Sequence, residues 1–329
     1  MAKDLLLVYQ DATLPSTRVR ALNLVSELQS AGITLDAVQY PKGLARKLAL
    51  ISSMRGYGAV LIQKKLPHPL ESALIRRACR RLLYDFDDAV YIRDDSHERF
   101  ESRSRMAKFA SIVSRADVVI AGNSILAEAA SKISRGSVVV IPSAVPAKGV
   151  PVKNYDTPPA EKVVLGWVGT KGNLHHLSML AGPLVRLAAE RKMALHVVSN
   201  APYELSTVDI VNIPWRLEAQ ESEIAHFDIG LMPLPDNQWT RGKCAYKALQ
   251  CMAAAVPVVC SDVGANREIV GDGGIVAGGV RELYEALKRL VDDPALRRTM
   301  GMAGRQRVED GYSIEAVGRR LASVIRDVL

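Results

Sequence analysis

The chain has few of the residues that build small stapled or metal-bound folds. Its 329 residues include only four cysteines, no two of which form a C-x-x-C pair. This excludes a zinc knuckle and a disulfide framework, and it favours a reducing compartment. The longest apolar stretch, residues 248–260, is interrupted by Gln250 and Pro257 and is too short to span a bilayer. The run Leu5–Tyr9 is too short for the apolar core of a signal peptide.

The six histidines show no ligand pattern. His175 and His176 are neighbours in the sequence, so on a helix they are expected to point to different faces, and the other four are scattered. The sequence therefore predicts no metal site, and it offers no Ser/His/Asp arrangement for nucleophilic catalysis.

Positive charge is concentrated in the first half of the chain. Residues 1–150 hold 22 Lys and Arg against 14 Asp and Glu, whereas residues 151–329 hold 21 of each, so the whole net charge of +8 lies in the first half. Ten of these basic residues lie in residues 42–81, a window that contains a single acid, Glu71. We call this window the basic region.

The basic region predicts an anionic partner. Such a patch attracts anionic lipid headgroups, nucleic acid or an acidic substrate, and the alternative is a solvated surface that keeps the protein soluble. We expect no nucleic acid, because Tyr57 is the only Phe, Tyr or Trp there on which a base could stack. Residues 70–83 predict an amphipathic helix with an all-arginine polar face, which a membrane-surface helix would carry. These arginines are Arg76, Arg77, Arg80 and Arg81.

Short apolar runs alternate with helical patterns and predict twelve strands. Six are expected in the first half, at Leu5–Tyr9, Leu35–Gln39, Ala59–Gln63, Leu82–Asp85, Val118–Ala121 and Val138–Ile141. Six are expected in the second half, at Val163–Val168, Ala194–Val198, Val208–Ile213, Ile229–Met232, Val256–Cys260 and Ile275–Val276. Continuous apolar runs suit strands that are buried on both faces of a parallel sheet.

Helices and a linker complete the predicted organisation. Residues 18–30 and 282–291 each place apolar side chains on one helical stripe. Residues 142–162, which contain five prolines, are typical of an interdomain linker. The pattern indicates an α/β chain with two Rossmann-like domains in tandem.

Two loops of the predicted second domain could hold phosphate, because ligands of open parallel sheets bind beyond the carboxyl ends of strands. In Gly166–Asn173 the glycines allow close approach of a phosphate to a helix N-terminus, and the alternative is a plain tight turn. In Trp239–Gln250, Lys243 and Lys247 are expected on one helical face, with Arg241 at the helix entry. Cations gathered at a helix N-terminus repel one another and the helix dipole, and a bound diphosphate would offset that cost.

A third loop, Tyr84–Ala89, is rich in carboxylates. Asp85, Asp87 and Asp88 follow a predicted strand and could orient a hydroxyl or act as a base. Asp85 and Asp87 also form a D-x-D pair that can hold a divalent metal on a diphosphate. The alternative is capping of a helix N-terminus by aspartate.

Together these stretches resemble the GT-B-fold glycosyltransferases of glycosyltransferase family 4 over nearly the full length of the chain. The block that carries most of the resemblance is Gly242-Lys-Cys-Ala-Tyr-Lys-Ala-Leu-Gln-Cys-Met-Ala-Ala-Ala-Val-Pro-Val-Val259. The other matching stretches are Pro15–Arg20, Tyr84–Asp88, Ala116–Ser124, Val140–Ser143, Gly166–Gly169, Phe227–Leu234, Val263–Gly264 and Glu268–Val270.

The resemblance implies retaining transfer of a sugar from a nucleotide diphosphate sugar to a glycan or lipid-linked acceptor, without metal or other cofactor. It implies an acceptor domain over residues 1–155, a nucleotide-sugar domain over 156–312 and a helix over 313–329 that crosses back to the first domain. The two parallel sheets would face each other across a cleft. The matching expectation for its role is cell-envelope glycan synthesis. We expect the protein in the cytoplasm or bound peripherally to the inner face of the membrane through the basic region.

The resemblance also assigns roles to residues. Asp87 and Asp88 would face the acceptor hydroxyl, and cations would neutralise the departing diphosphate. The implied donor contacts are Gly169, Thr170, Lys171, Trp215, Arg241, Gly242, Lys243, Lys247 and Gln250. The implied acceptor contacts are Ser16, Thr17 and Arg18.

The chain departs from the family pattern at two donor positions. The family often has two glutamates eight positions apart in the helical block, and here these positions hold Gly242 and Gln250. Gln250 keeps hydrogen-bonding capacity for a ribose, whereas Gly242 removes a contact to the donor sugar. The alternative function is therefore a catalytically silent GT-B protein that binds nucleotide sugars.

Overall fold

The computed structural model describes residues 3–156 and 161–329, and contacts divide the chain into two units. The first unit comprises Met1–Ala144, Arg241–Cys244 and Ile314–Leu329, and the second comprises Val145–Thr240 and Ala245–Ser313. The first stretch of the first unit thus ends at Ala144, before the predicted boundary at residue 155. The unit also includes Arg241–Cys244, which the resemblance assigns to the second domain. Pro158 and Pro159 of the predicted linker lie outside the described residues.

The first unit contains a six-stranded parallel sheet in the order β2-β1-β3-β4-β5-β6. The strands are β1 (Lys3–Tyr9), β2 (Leu35–Gln39), β3 (Tyr57–Gln63), β4 (Arg81–Phe86), β5 (Val118–Ala121) and β6 (Ser137–Val140). Each overlaps one of the six strands predicted for this half. The strand order reverses between β1 and β3, and such a reversal opens a crevice at the carboxyl ends of the strands.

Six helices of the first unit connect these strands. They are α1 (Pro15–Arg20), α2 (Val25–Ser30), α3 (Leu44–Ser53), α4 (Pro69–Ala78), α5 (Arg103–Val113) and α6 (Ser124–Ser131). The helix predicted over 18–30 is interrupted, because a 3-10 turn at Leu22–Leu24 separates α1 from α2.

The prediction of a helix with an all-arginine face over 70–83 was wrong. Helix α4 ends at Ala78, and Cys79 adopts an extended conformation that leads into β4. Only Arg76 and Arg77 therefore lie on the helix, whereas Arg81 begins a strand. Arg76 also forms an ion pair, because its Nη2 lies 3.4 Å from Oδ1 of Asp117.

The second unit repeats the parallel architecture with the order β12-β11-β10-β7-β8-β9. Its strands are β7 (Val163–Val168), β8 (Met193–Ser199), β9 (Ile210–Pro214), β10 (Ile229–Met232), β11 (Val258–Ser261) and β12 (Gly274–Ala277). Its helices are α7 (Ala181–Glu190), α8 (Gln220–Ala225), α9 (Tyr246–Ala253), α10 (Asn266–Val270), α11 (Val280–Asp292) and α12 (Pro294–Gly311). The order reverses between β7 and β10.

The last helix, α13 (Ile314–Arg326), belongs to the first unit. Its apolar stripe, which includes Val317, Leu321 and Ile325, is buried in the same core as Leu24 and Leu28 of the N-terminal helices. Among the described residues, we find no helix with the length and apolar character needed to cross a membrane.

Candidate active site

Asp85, the first predicted carboxylate, is engaged in the core of the first unit. Its side chain receives hydrogen bonds from Nε and Nη2 of Arg20, the former at 3.1 Å, and both side chains are at least 95% buried. Arg20 also donates to the carbonyl of Ile141 at 2.7 Å. Burial alone would lower the pKa of Arg20, but the charge and hydrogen bonds of Asp85 raise it above its ordinary value. Asp85 therefore ties α1 to the sheet and is not available as a metal ligand.

Lys64 bridges the other two carboxylates, and the sequence reasoning did not identify it. Its Nζ lies 2.8 Å from Oδ1 of Asp87 and 2.5 Å from Oδ2 of Asp88. Lys64 directly follows β3, and its φ of 58° places it in the left-handed region, which lysine rarely adopts. Its backbone N–H donates to the carbonyl of Asp85 at 2.7 Å. The position of a lysine at the end of a buried strand was the signal that could have indicated this role.

The segment Arg241–Cys244 docks against these carboxylates within the first unit. Nζ of Lys243 lies 3.4 Å from Oδ1 of Asp88. The amide of Asn123 donates to the carbonyls of Gly242 and Lys243 at 3.2 and 3.0 Å, and the thiol of Cys244 donates to the carbonyl of Asp87 at 3.1 Å. Asn123, which also caps α6, is a second residue that the sequence reasoning missed.

Close packing explains the glycine at 242. A Cβ added at Gly242 would lie 2.9 Å from Cβ of Ala89 and 3.0 Å from the nitrogen of Ala89. A glutamate at this position would have to displace the segment from the first unit. The glycine that departs from the family pattern at position 242 thus allows the segment Arg241–Cys244 to lie close to Ala89.

The placement of Lys243 and Lys247 on one helical face was wrong. Helix α9 begins only at Tyr246, because Ala245 adopts a left-handed conformation with φ of 49°. Lys247 lies in the first turn of α9, whereas Lys243 precedes the helix and belongs to the first unit. Arg241 is exposed in a 3-10 turn, Thr240–Gly242.

Asp88 is held as a carboxylate. Burial would raise its pKa, but the nearby charges and hydrogen bonds of Lys243 and Lys64 lower the pKa to about 2. A general base is most effective when its pKa lies near the working pH. The geometry therefore suits Asp88 to anchoring Lys243 and Lys64 better than to taking a proton from an acceptor.

The acceptor candidates lie on α1 of the first unit and differ in accessibility. Thr17 is fully buried, and its hydroxyl donates to Oε1 of Gln63 at 3.1 Å, so its role in this structure is packing. Ser16 and Arg18 are half-buried, and Nη1 of Arg18 donates to the carbonyl of Thr13 at 3.1 Å. An acceptor contact thus stays a prediction for Ser16 and Arg18.

In the second unit, the loop after β7 packs tightly at Gly169. A Cβ added there would lie 2.5 Å from the ring of Trp167 and 3.0 Å from Cε of Lys247. Thr170 and Lys171 are exposed, and the backbone N–H of Lys171 donates to Oδ1 of Asn200 at 2.7 Å. Residues Lys171–Leu180 form a 3-10 helix where we had expected a regular helix.

Lys247 reaches from α9 to this loop. Its ammonium group lies 4.4 Å from the ring centroid of Trp167, a cation–π contact. Gln250, one turn further along α9, is buried. Trp215 follows β9, and its Nε1–H donates to Oε1 of Gln220 at 3.2 Å. The carboxyl end of β7 and the helix after β10 thus bring Gly169 and Lys247 together beside the reversal in strand order.

The two neighbouring histidines do not point apart. They lie in the 3-10 helix after β7, and the ring centroids of His175 and His176 are 4.2 Å apart. The expectation that the two side chains point to different helix faces was wrong for the rings, which pack edge to face although His175 is exposed and His176 is buried.

A methyl group at Gly169 is expected to disturb the loop after β7, whereas one at Gly172 is not. Gly169→Ala would press on the buried ring of Trp167 and on Lys247, so we expect a loss of about 1–3 kcal/mol in the free energy of unfolding. Gly172 has open space around the position of a Cβ, which makes Gly172→Ala the matched control. Urea unfolding of the two variants checks this, and equal stabilities would contradict the tight packing at Gly169.

Most of the second unit matches a known protein family. Residues 162–293 match the family described as glycosyl transferases group 1. Over 158 residues the chain is 34% identical to a GDP-mannose-dependent monoacylated alpha-(1-6)-phosphatidylinositol monomannoside mannosyltransferase of Corynebacterium glutamicum, covering 43% of this chain and 40% of that protein. It is 29% identical over 167 residues to an MMP alpha-(1->4)-mannosyltransferase of Mycolicibacterium hassiacum, covering 46% and 39%. The alignments therefore span about two fifths of these relatives.

Solved structures show the fold of the whole chain. A sucrose-phosphate synthase from Thermosynechococcus elongatus matches with a TM-score of 0.72 at 16% identity, covering 99% of both chains. The Anabaena protein HepE in complex with UDP and glucose matches with a TM-score of 0.73 at 14% identity, covering 98% of this chain and 99% of that one. The two Rossmann-like units with parallel sheets thus have the GT-B fold, as predicted.

Proposed function

We propose that this chain transfers a sugar from a nucleotide diphosphate sugar to a glycan or lipid-linked acceptor, because residues 162–293 match the family described as glycosyl transferases group 1. The observation that carries the proposal is the pairing of Lys247 with the tight loop at Gly169, at the reversal in strand order. A cation and a close backbone approach at this edge suit a diphosphate.

Lys247 is the residue we propose for stabilising the leaving diphosphate. Negative charge grows on the β-phosphate as the bond to the sugar breaks, and a preorganised cation lowers the free energy of that state. The ring of Trp167 and the backbone at Gly169 hold the lysine stem in place. Lys171 and Arg241, both exposed, are the further candidates for this charge, and Gln250 is the candidate for the ribose hydroxyls.

Transfer without a metal is supported by the partners of the D-x-D pair. A divalent ion at Asp85 and Asp87 would have to displace Arg20 from one carboxylate and Lys64 from the other. Both carboxylates are thus already neutralised by side-chain cations. The retaining stereochemistry and the assignment to glycosyltransferase family 4 rest on the resemblance of the block Gly242–Val259.

A panel of nucleotide sugars tests the proposed function. The panel includes GDP- and UDP-sugars, because one relative is named as GDP-mannose-dependent and one structural neighbour contains UDP, together with ADP- and dTDP-sugars. A donor present at a hundred times its dissociation constant should add about 2.7 kcal/mol to the stability of the chain, which thermal unfolding detects. Slow release of nucleotide from the same donor would show turnover. If a donor binds but no nucleotide is released with any acceptor present, the result would favour the silent nucleotide-sugar binder. If no donor binds, the result would contradict the proposal.

We also propose that the basic region contacts an anionic membrane surface. The first turn of α3 and the start of α4 expose large apolar side chains among the cations: Leu44 is 71% exposed, Leu48 48% and Leu70 67%. Apolar side chains flanked by lysine and arginine suit insertion at a lipid headgroup boundary.

Vesicle flotation checks the membrane proposal. The chain is expected to float with vesicles that contain phosphatidylserine and to stay behind with pure phosphatidylcholine. Leu44→Gln combined with Leu48→Gln should reduce flotation by about tenfold or more, since each buried leucine contributes about 1.5–3 kcal/mol. Val185→Gln, at a partly exposed position of the second unit, is the control. Equal recovery with both lipid compositions would contradict the proposal.

A further inference from the structure

Two lysines lie over the ring of Tyr40 at the carboxyl edge of the first sheet. Tyr40 directly follows β2, and the ammonium groups of Lys47 and Lys65 lie 5.9 and 5.3 Å from the centroid of its ring. Lys42 follows Tyr40 by two residues, and Lys108 comes from α5. We call Lys42, Lys47, Lys65 and Lys108 the lysine cluster.

Glu71 is the carboxylate of this neighbourhood, and its oxygens are already engaged. It forms an ion pair with Lys47, accepts a hydrogen bond from the hydroxyl of Tyr40 at 3.4 Å, and accepts another from the backbone N–H of His68 at 3.2 Å. It thereby caps α4 and fixes Lys47 against the Tyr40 ring. Glu71 thus pairs with one lysine of the cluster, and the carboxylate of Asp11 interacts with the charge of a second, Lys42.

The other lysines of the cluster act on one another through their charges. In residues 3–156 and 161–329, no ion pair joins Lys42, Lys65 or Lys108 to a carboxylate. Burial lowers the pKa of Lys65, and the charges of Lys47, Lys108 and Lys42 lower it further, against an opposing contribution from Glu71. Lys47, Lys65 and Lys108 are all half-buried. Like charges in a partly desolvated place cost free energy unless an anion joins them.

The cluster lies at the edge of the first sheet where a ligand can bind. Tyr40 and Lys65 lie beyond the carboxyl ends of β2 and β3, which belong to the edge where parallel sheets bind ligands. Lys65 is also the next residue after Lys64, whose ammonium bridges Asp87 and Asp88. Lys65 of the cluster is therefore the chain neighbour of the residue that bridges the two carboxylates.

We propose that the lysine cluster binds a phosphate group of the acceptor, so that the acceptor of the proposed transfer is a phosphomonoester or phosphodiester. The inference rests on the proposed function, because it names the substrate class of that site. Lysine ammonium groups bind phosphate as point charges. Lys47 and Lys65 lie over the Tyr40 ring, and the charges of Lys42 and Lys108 act on Lys65. The phosphate could come from a lipid headgroup or from a soluble sugar phosphate.

Calorimetric titration of the full chain tests the proposal with both sources. The probes are short-chain phosphatidic acid below its micelle concentration and a hexose 1-phosphate. We expect binding in at least one arm, and Lys65→Gln should weaken it at least about tenfold, because a hydrogen bond between charged groups contributes about 1.5–3 kcal/mol. The arm with the tighter binding identifies the source. Failure of both probes to bind, or equal binding by the Lys65→Gln variant, would overturn the proposal.

Two controls separate a binding role from a structural one. Lys132→Gln removes an exposed lysine of the same unit whose partner, Glu128, is on its own helix, and it should leave binding unchanged. Lys65→Gln should be at least as stable as the natural chain in phosphate-free buffer, because it relieves repulsion within the cluster. A less stable variant would indicate that Lys65 supports the fold, and it would count against the proposal.

Donor hydrolysis separates this inference from the proposed function. Nucleotide release from the sugar donor without acceptor is measured on the natural chain, because it tests the proposed function and needs no ligand in the lysine cluster. Turnover of a donor together with equal phosphate binding by variant and natural chain would overturn only the phosphate site. Absence of donor turnover with phosphate binding lost in the variant would overturn only the proposed function.

Discussion

Replacing Lys64 by methionine is expected to lower the free energy of unfolding by about 3–5 kcal/mol, the usual cost of removing one partner from a buried ion pair. Asp87 would lose its ion pair, and Asp88 would keep only Lys243 at 3.4 Å. Urea unfolding near neutral pH measures the difference. Lys132→Met, which breaks an exposed ion pair with Glu128, should cost less than about 1 kcal/mol. A Lys64→Met variant as stable as that control would contradict the bridging role.

The cost of Lys64→Met should depend on pH. The folded pKa of Asp88 is lowered to about 2, so its stabilising contribution is present above the unfolded value of about 3.9 and is lost as the pH falls through about 2. Without Lys64 the folded pKa of Asp88 rises, and protonation then relieves an uncompensated charge. The difference between variant and natural chain should therefore narrow between about pH 5 and pH 2. A difference that stays constant over this range would indicate lost packing instead.

Lys247→Met is expected to reduce kcat/KM for the sugar donor by about 10²–10³, the range observed when one preorganised charge-stabilising group is removed from an active site. Methionine preserves the apolar stem that packs near Gly169 and Trp167, so the loss should come from the charge. Affinity for the nucleoside diphosphate should fall, whereas affinity for the nucleoside should not change. Steady-state kinetics and competition binding measure these quantities.

Two further lysines of the second unit test the assignment to Lys247. Lys192 is exposed and paired with Glu161, so Lys192→Met should leave kcat/KM unchanged. Lys171 is the second candidate for the diphosphate charge, and Lys171→Met should have a smaller effect because the side chain is exposed. A larger loss in Lys171→Met than in Lys247→Met would move the proposed diphosphate contact to the loop after β7.

The sequence was sufficient to predict the strands of both sheets, but it was not sufficient to predict the contacts between the site residues. All twelve predicted strands are present, because continuous apolar runs between helical patterns mark strands that are buried on both faces. The end of α4 was misplaced, because arginines at 80 and 81 fit a helical face as well as they fit a strand edge. The break in conformation at Cys79 decides between them, and local pattern does not show it.

Contacts between distant segments explain what the sequence could not provide. The contact of Lys243 with Asp88 joins residues that are far apart in the chain. It depends on the hydrogen bonds of Asn123 and on the absence of a Cβ at Gly242. The left-handed conformation of Ala245, which separates Lys243 from α9, is equally invisible to helical periodicity. The carboxylates at 87 and 88 could be identified as a charged group, but their lysine partners could not.

The position of α13 has a consequence for the order in which the chain can fold during synthesis. The ribosome produces α13 only after the entire second unit, yet the helix covers Leu24 and Leu28 in the core of the first unit. The first unit therefore cannot complete its core when residues 1–144 emerge, although domains usually fold in the order of translation. The nascent chain must carry an uncovered apolar surface while more than half of its length is still being made, and such a surface is where chaperones bind.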